Sequence, residues 1–220
     1  MSGTMDVVIA GRVQNMSQVP ILASAQLGQP EGYSPYTTST GWQTIYGTGE
    51  VSQFVGAEMM VDKWNLTREE MELFAIESHE RALRAQAEGR FDNEIVPIGE
   101  VQRDEGPREP NVEKIRSLPT LTPEGKLTAA VASQISDGSA AMLIMNEDAV
   151  RSHGVTPRAR IHHISVWGDD PIMMLSAPIP ATHRAMAKTG LSVDDIDLVE
   201  INEAFAPVPM AWMRETGFDH

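Results

Sequence analysis

The sequence predicts an α/β fold with a parallel sheet. Three observations carry that prediction. Short β-branched apolar runs recur along the chain, as in DVVIA at Asp6–Ala10 and DLVEI at 197–201. Stretches of helical periodicity lie between them, several with a capping residue at the start and glycine at the end. Towards the C-terminus the order is strand, helix, strand, helix, which is the grammar of parallel sheets covered by helices.

Taken in order, Asp6–Ala10 ends at Gly11 and reads as a strand buried on both faces. Residues 14–49 are rich in Pro, Gly, Ser, Thr and Tyr and read as long irregular structure, which is uncommon unless it covers a site. Apolar residues at helical spacing predict a helix over about Val51–Lys63. Thr67 then sits three residues before Glu70, a capping box for a helix over Arg68–Ala87 that Gly89 ends. Its inward face is expected to carry Met71, Phe74, Ala75, Ser78, Ala82 and Ala85.

Phe91–Ile98 reads as a strand, and 103–126 as loop with a short helix near Val112–Ser117. Ala140–Met145 fits either a strand or a buried helical turn. Glu147–Gly154 reads as a short helix closed by its glycine. A second unit is expected from near Ala159: a strand over Arg160–Val166, a helix over Pro178–Thr189 with Gly190 at its end, a strand over Asp197–Ile201 and a helix over Val208–Thr216.

Composition narrows the function. Among 220 residues, 41% are hydrophobic and 22% charged, ordinary for a globular chain. The net charge of −14 speaks against nucleic acid, which needs a basic face. No run approaches the roughly 20 apolar residues that span a bilayer. The N-terminus, MSGTMDVVIAG, lacks the pattern of a secretory signal, so a cytoplasmic protein is expected. Without cysteine there is no disulfide, no thiolate metal site and no cysteine nucleophile in the chain. The six histidines show no metal-site spacing, and no Gly-rich phosphate loop is present.

Two places invite chemistry. Asn202 and Glu203 follow the last predicted strand, at the strand end where α/β folds place ligands. An asparagine there is equally a turn former or a helix cap. Arg108, in DEGPREP, lies in a proline-containing loop, where its fork of donors suits either phosphate or solvent.

Five segments in order go further: DVVIAGRVQNMSQVPI, DKWNLTREEMELFAIESHERALRAQAEGRFDNEIVPI, DEGPR, LTAAVASQISDGSAAMLI and DIDLVEINEAFAPV. Together they resemble the thiolases, the acetyl-CoA C-acyltransferases, over nearly the whole chain. The resemblance implies an α/β fold of two βαβαβ halves, partial here, with an inserted loop domain that covers coenzyme A. It divides the chain into 1–150, the end of the N-terminal domain with the loop domain at about 14–128, and 151–220, the start of the C-terminal domain.

The resemblance implies thiolytic cleavage or Claisen condensation of acyl-CoA with acetyl-CoA. Acyl-CoA and CoA are then the partners, as substrates, with no prosthetic group and no metal. The parent assembly is expected to be a homodimer or homotetramer. In NEAF, Asn202 matches the asparagine that holds an oxyanion-hole water, and Phe205 a position beside the pantetheine arm. Ser133 matches the serine by the pantetheine amides, and Arg108 an arginine near the nucleotide end.

Departures accompany these matches. Arg12 stands where a second glycine is usual, and a close backbone approach with positive φ is expected to be lost there. Ala130, Val131 and Gln134 alter the segment around Ser133. Ser52 or Gln53 stands near the place of a loop-domain histidine. The family's nucleophilic cysteine, GHP and CxG segments have no counterpart. The expectation is an internal portion of a thiolase about twice this length, inactive alone. The alternatives are a non-catalytic thiolase-like protein that binds CoA or lipid, and an unstable truncated product.

Overall fold

The computed structural model describes residues 3–49 and 51–220. Its elements in chain order are β1 (Val7–Asn15), α1 (Ala23–Gln26), α2 (Thr40–Tyr46), α3 (Gln53–Lys63), α4 (Arg68–Ala87), α5 (Val112–Ser117), β2 (Asp137–Met145), α6 (Glu147–His153), α7 (Pro178–Thr189) and α8 (Pro207–Thr216), with short 3-10 turns between some of them. The chain divides into two compact units. One joins the segment up to Ser34 with Ile135–Ile164. The other joins Pro35–Gln134 with Ser165–His220.

In the first unit β1 and β2 pair antiparallel, from Val7 opposite Met145 to Asn15 opposite Asp137. Ser17 closes one end of the ribbon: its backbone N–H and Oγ donate to the two Asp137 carboxylate oxygens at 2.9 and 2.5 Å. Asn146 closes the other, donating through Nδ2 to Asp6 Oδ1 at 2.6 Å. The Asn146 Oδ1 also accepts from the Ala149 N–H and caps α6, which Gly154 ends in the left-handed region.

The ribbon corrects two expectations. The sheet formed by the described residues is antiparallel, and β1 is largely exposed, with Ile9 at 76% and Val13 at 75%. An apolar β-branched run specifies an extended backbone. What covers its faces depends on other elements, which a run of β-branched residues does not specify. Arg12 lies in the regular ladder opposite Ala140 and needs no positive φ.

The second unit holds the main core. Ser52 caps α3 by accepting from the Val55 N–H at 3.2 Å, and the helix buries Ala57, Met60 and Val61. Gly56 faces the Met173 carbonyl so closely that an added Cβ would lie 2.6 Å from it. The helix α4 has the expected bounds and the full Thr67–Glu70 capping box, with Met71, Phe74 and Ala75 buried. Leu66, Leu127, Val131, Ile179, Phe205, Ala206, Val208, Ala211 and Trp212 belong to the same cluster. Burying each large side chain contributes about 2 kcal/mol. Trp212 Nε1 donates to Thr182 Oγ1 at 2.8 Å and ties α8 to α7.

Three predicted strands do not form. Phe91–Ile98 closes on itself, with the Glu94 and Ile95 N–H groups donating to the Phe91 carbonyl. Asp92 and Asn93 favour that turn over an extended run. Arg160–Val166 and Asp197–Ile201 form no strand among the described residues. Val166 and Leu198 are each 91% exposed. A strand exists only as half of a pair, and periodicity cannot supply the other half. The irregular stretch 14–49 also contains α2, capped by Ser39, whose Trp42 packs between Tyr36 and Tyr46.

No helix among the described residues is long and apolar enough to cross a membrane.

Candidate functional site

The site is built on the turn Asn202–Ala206 in the second unit. Asn202 and Glu203 are exposed, whereas Phe205 and Ala206 are buried and lead into α8. Proline at 207 suits the first helical position, where no N–H is needed. The switch from exposed to buried within four residues presents the amide and the carboxylate outward while Phe205 anchors the turn.

Two backbone hydrogen bonds fix the anchored half. The Ser133 N–H donates to the Ala204 carbonyl and the Ala206 N–H to the Val131 carbonyl, both at 2.9 Å. This single antiparallel bridge between Ala132 and Phe205 places exposed Ser133 beside the turn. Phe54, from α3, meets the Phe205 ring edge to face.

The helix α4 supplies the other wall. Ser78 Oγ donates to Glu203 Oε2 at 2.8 Å. One residue on, His79 Nδ1 accepts from the Arg108 backbone N–H at 3.4 Å. Burial, then the nearby Arg108 charge, hold the His79 pKa below the usual histidine value, with Glu203 opposing. A neutral ring is also what an accepting Nδ1 requires.

The loop that carries Arg108 has two further ties. Gln86 Nε2 donates to the Asp104 carbonyl at 2.8 Å, and Gln134 Nε2 to the Gly106 carbonyl at 2.9 Å. An added Cβ at Gly106 would lie 2.7 Å from Gln134 Oε1, so the Gln134 amide would have to shift to admit it.

Of the residues singled out in the sequence, Asn202, Phe205 and Ser133 share one turn and its bridge. Arg108 joins them through α4, with its side chain exposed. Ser52, near the place of the histidine, is instead the cap of α3. Sequence reasoning missed Ser78, His79 and Glu203 as a contact set, and Gln134 as a tie. Ser78 carried a signal, since a serine on an otherwise apolar helix face needs a polar partner. His79 and Gln134 carried none, because their partners lie in distant segments.

Family comparison agrees with this arrangement of segments. The model described as thiolase, N-terminal domain, matches residues 1–148, and that described as thiolase, C-terminal domain, matches residues 155–220. The chain belongs to the thiolase family.

Among curated thiolases, a steroid 3-ketoacyl-CoA thiolase of Mycobacterium tuberculosis is 54% identical over 224 residues, which cover 100% of this chain and 55% of that protein. A β-ketoadipyl-CoA thiolase of Pseudomonas putida is 36% identical, covering 98% of this chain and 58% of that one. The crystal structure of human mitochondrial 3-ketoacyl-CoA thiolase in complex with CoA superposes with a TM-score of 0.79 at 33% identity, over 97% of this chain and 56% of that one. The chain thus spans about half the length of the thiolases it matches.

Proposed function

We propose that this chain carries the coenzyme A-facing and oxyanion-stabilising part of a thiolase-type acyltransferase, acting in thiolytic cleavage or Claisen condensation of acyl-CoA with acetyl-CoA. The observation that supports it is the assembly of Asn202, Phe205, Ser133 and the Arg108 loop around one turn and one helix. The division at 1–150 and 151–220, with a loop domain at about 14–128, belongs to the same reading.

Each residue has a role that its setting allows. Asn202, exposed on an anchored turn, orients a water towards the thioester carbonyl as that oxygen gains negative charge. Phe205 and Ser133 line the path of the pantetheine arm, and Arg108 reaches a phosphate of the nucleotide. The chain contains no cysteine, so it holds no acyl-thioester intermediate of its own. Alone it binds coenzyme A without turnover. The reading includes a homodimeric or homotetrameric assembly and a cytoplasmic location.

Calorimetric titration of coenzyme A into the purified chain is the test, paired with a thiol-release assay on acyl-CoA. Saturable binding without turnover is expected. A folded chain that shows no saturable binding, or thiolytic turnover by the chain, overturns the reading.

A second reading has its own observation. Ile9, Val13, Val166 and Leu198 are highly exposed. Such surface favours a chain that is unstable or self-associating until further polypeptide covers it. Light scattering that rises with concentration, together with a broad thermal transition, would favour that reading.

A further inference from the structure

The carboxylate beside Asn202 raises a question of charge. If Asn202 serves an oxyanion, a negative group one residue away opposes the charge that develops there. An exposed glutamate in a turn normally faces solvent. Glu203 instead accepts from Ser78 on α4, a residue 125 positions away in sequence.

The backbone shows what that bond is for. The bridge between Ala132 and Phe205 fixes residues 204–206 and makes no contact with 202 or 203. The Asn202 side chain has no hydrogen-bond partner among the described residues. Its orientation therefore follows from its neighbours. The Glu203–Ser78 bond is the side-chain contact that ties this half of the turn to a helix. The same helix, one residue on, receives the Arg108 loop through His79.

We propose that Glu203 is a positioning residue. Through Ser78 it registers the Asn202 end of the turn against α4, so that one helix sets both the Asn202 amide and the loop bearing Arg108. The inference rests on the functional reading above only in giving Asn202 its importance.

The test is made on the isotopically labelled 220-residue chain without coenzyme A, so a chain that fails to bind it still reports on the tie. The side-chain amide resonances of Asn202, assigned by their loss in N202A, are compared in S78A, S78T, E203A and E203Q. S78A and E203A should move this pair towards the position of a freely solvated asparagine. They should leave exchange of the Ser133 and Ala206 amides near that of the parent chain, because the bridge that holds those amides does not involve residues 202 or 203. S78T keeps the hydroxyl and E203Q keeps an acceptor, so both should stay close to the parent chain. Unchanged Asn202 resonances in S78A and E203A, or S78T behaving like S78A, would overturn the proposal.

Discussion

The rings of Phe54 and Phe205 meet edge to face, with centroids 5.3 Å apart and planes at 73°. Phe205 is only 4% exposed, while its neighbours Asn202 and Glu203 are open to solvent. The turn is anchored from below and exposed above. Replacing Phe205 with alanine should therefore destabilise the chain by about 3 kcal/mol, through lost burial and an unfilled cavity. N202A, at an exposed side chain, should change stability by less than about 0.5 kcal/mol. Thermal or urea denaturation of the two variants side by side checks the contrast. Equal losses would contradict this division of labour.

Arg108 offers a different separation. Its main chain, not its side chain, bonds to His79. R108A should leave the unfolding midpoint near that of the parent while weakening coenzyme A binding roughly tenfold, the scale of one charge-assisted contact to phosphate. R108K keeps the charge and loses the fork, so its affinity should fall between the two. Titration calorimetry reads the order directly.

Glu58 tests the scaffold beneath the site. Its Oε1 accepts from Thr122 Oγ1 at 3.2 Å and from the Lys126 and Leu127 N–H groups at 3.0 Å each. Leu127 is fully buried, so its N–H has no ready alternative. E58A should cost about 2 kcal/mol by leaving such donors unmatched. G125A should also destabilise, since an added Cβ would lie 2.1 Å from Glu58 Oε1. Urea denaturation measures both, and a neutral G125A would show that the carboxylate moves aside freely.

The His79 shift implies a pH dependence. Burial and then the Arg108 charge hold its pKa below the usual value, so the unfolded chain binds the proton more readily. Stability is then complete above the unfolded histidine pKa, about 6.5, and declines as pH falls through it towards the lower folded value. Protonation also removes the lone pair that accepts from Arg108. The unfolding temperature should fall on acidification through this range, and H79Q should lose that part of the slope. An identical pH profile for H79Q would assign the titration to other groups.

Legibility in the sequence varied with how local the cause was. The bounds of α4, α5 and α7 are those that periodicity, the Thr67–Glu70 capping box and the closing glycines indicate. These signals act within a few residues, and a single sequence carries them whole. The strands were less legible. Asp197–Ile201 and Arg160–Val166 have strand composition but form no strand among the described residues, and β1 pairs antiparallel with a segment more than a hundred residues away.

The site divides in the same way. Sequence alone carried the longer helices, the Thr67–Glu70 capping box and the acidic, cysteine-free composition, and its ordered motifs singled out Asn202, Phe205, Ser133 and Arg108 as candidates. Tertiary structure alone decided that Ser78 meets Glu203, that His79 meets Arg108, and that Gln134 holds Gly106. Helix periodicity and capping depend on neighbours three or four positions away. These three contacts join residues 28 to 125 positions apart, and only chain packing brings such residues within hydrogen-bond distance.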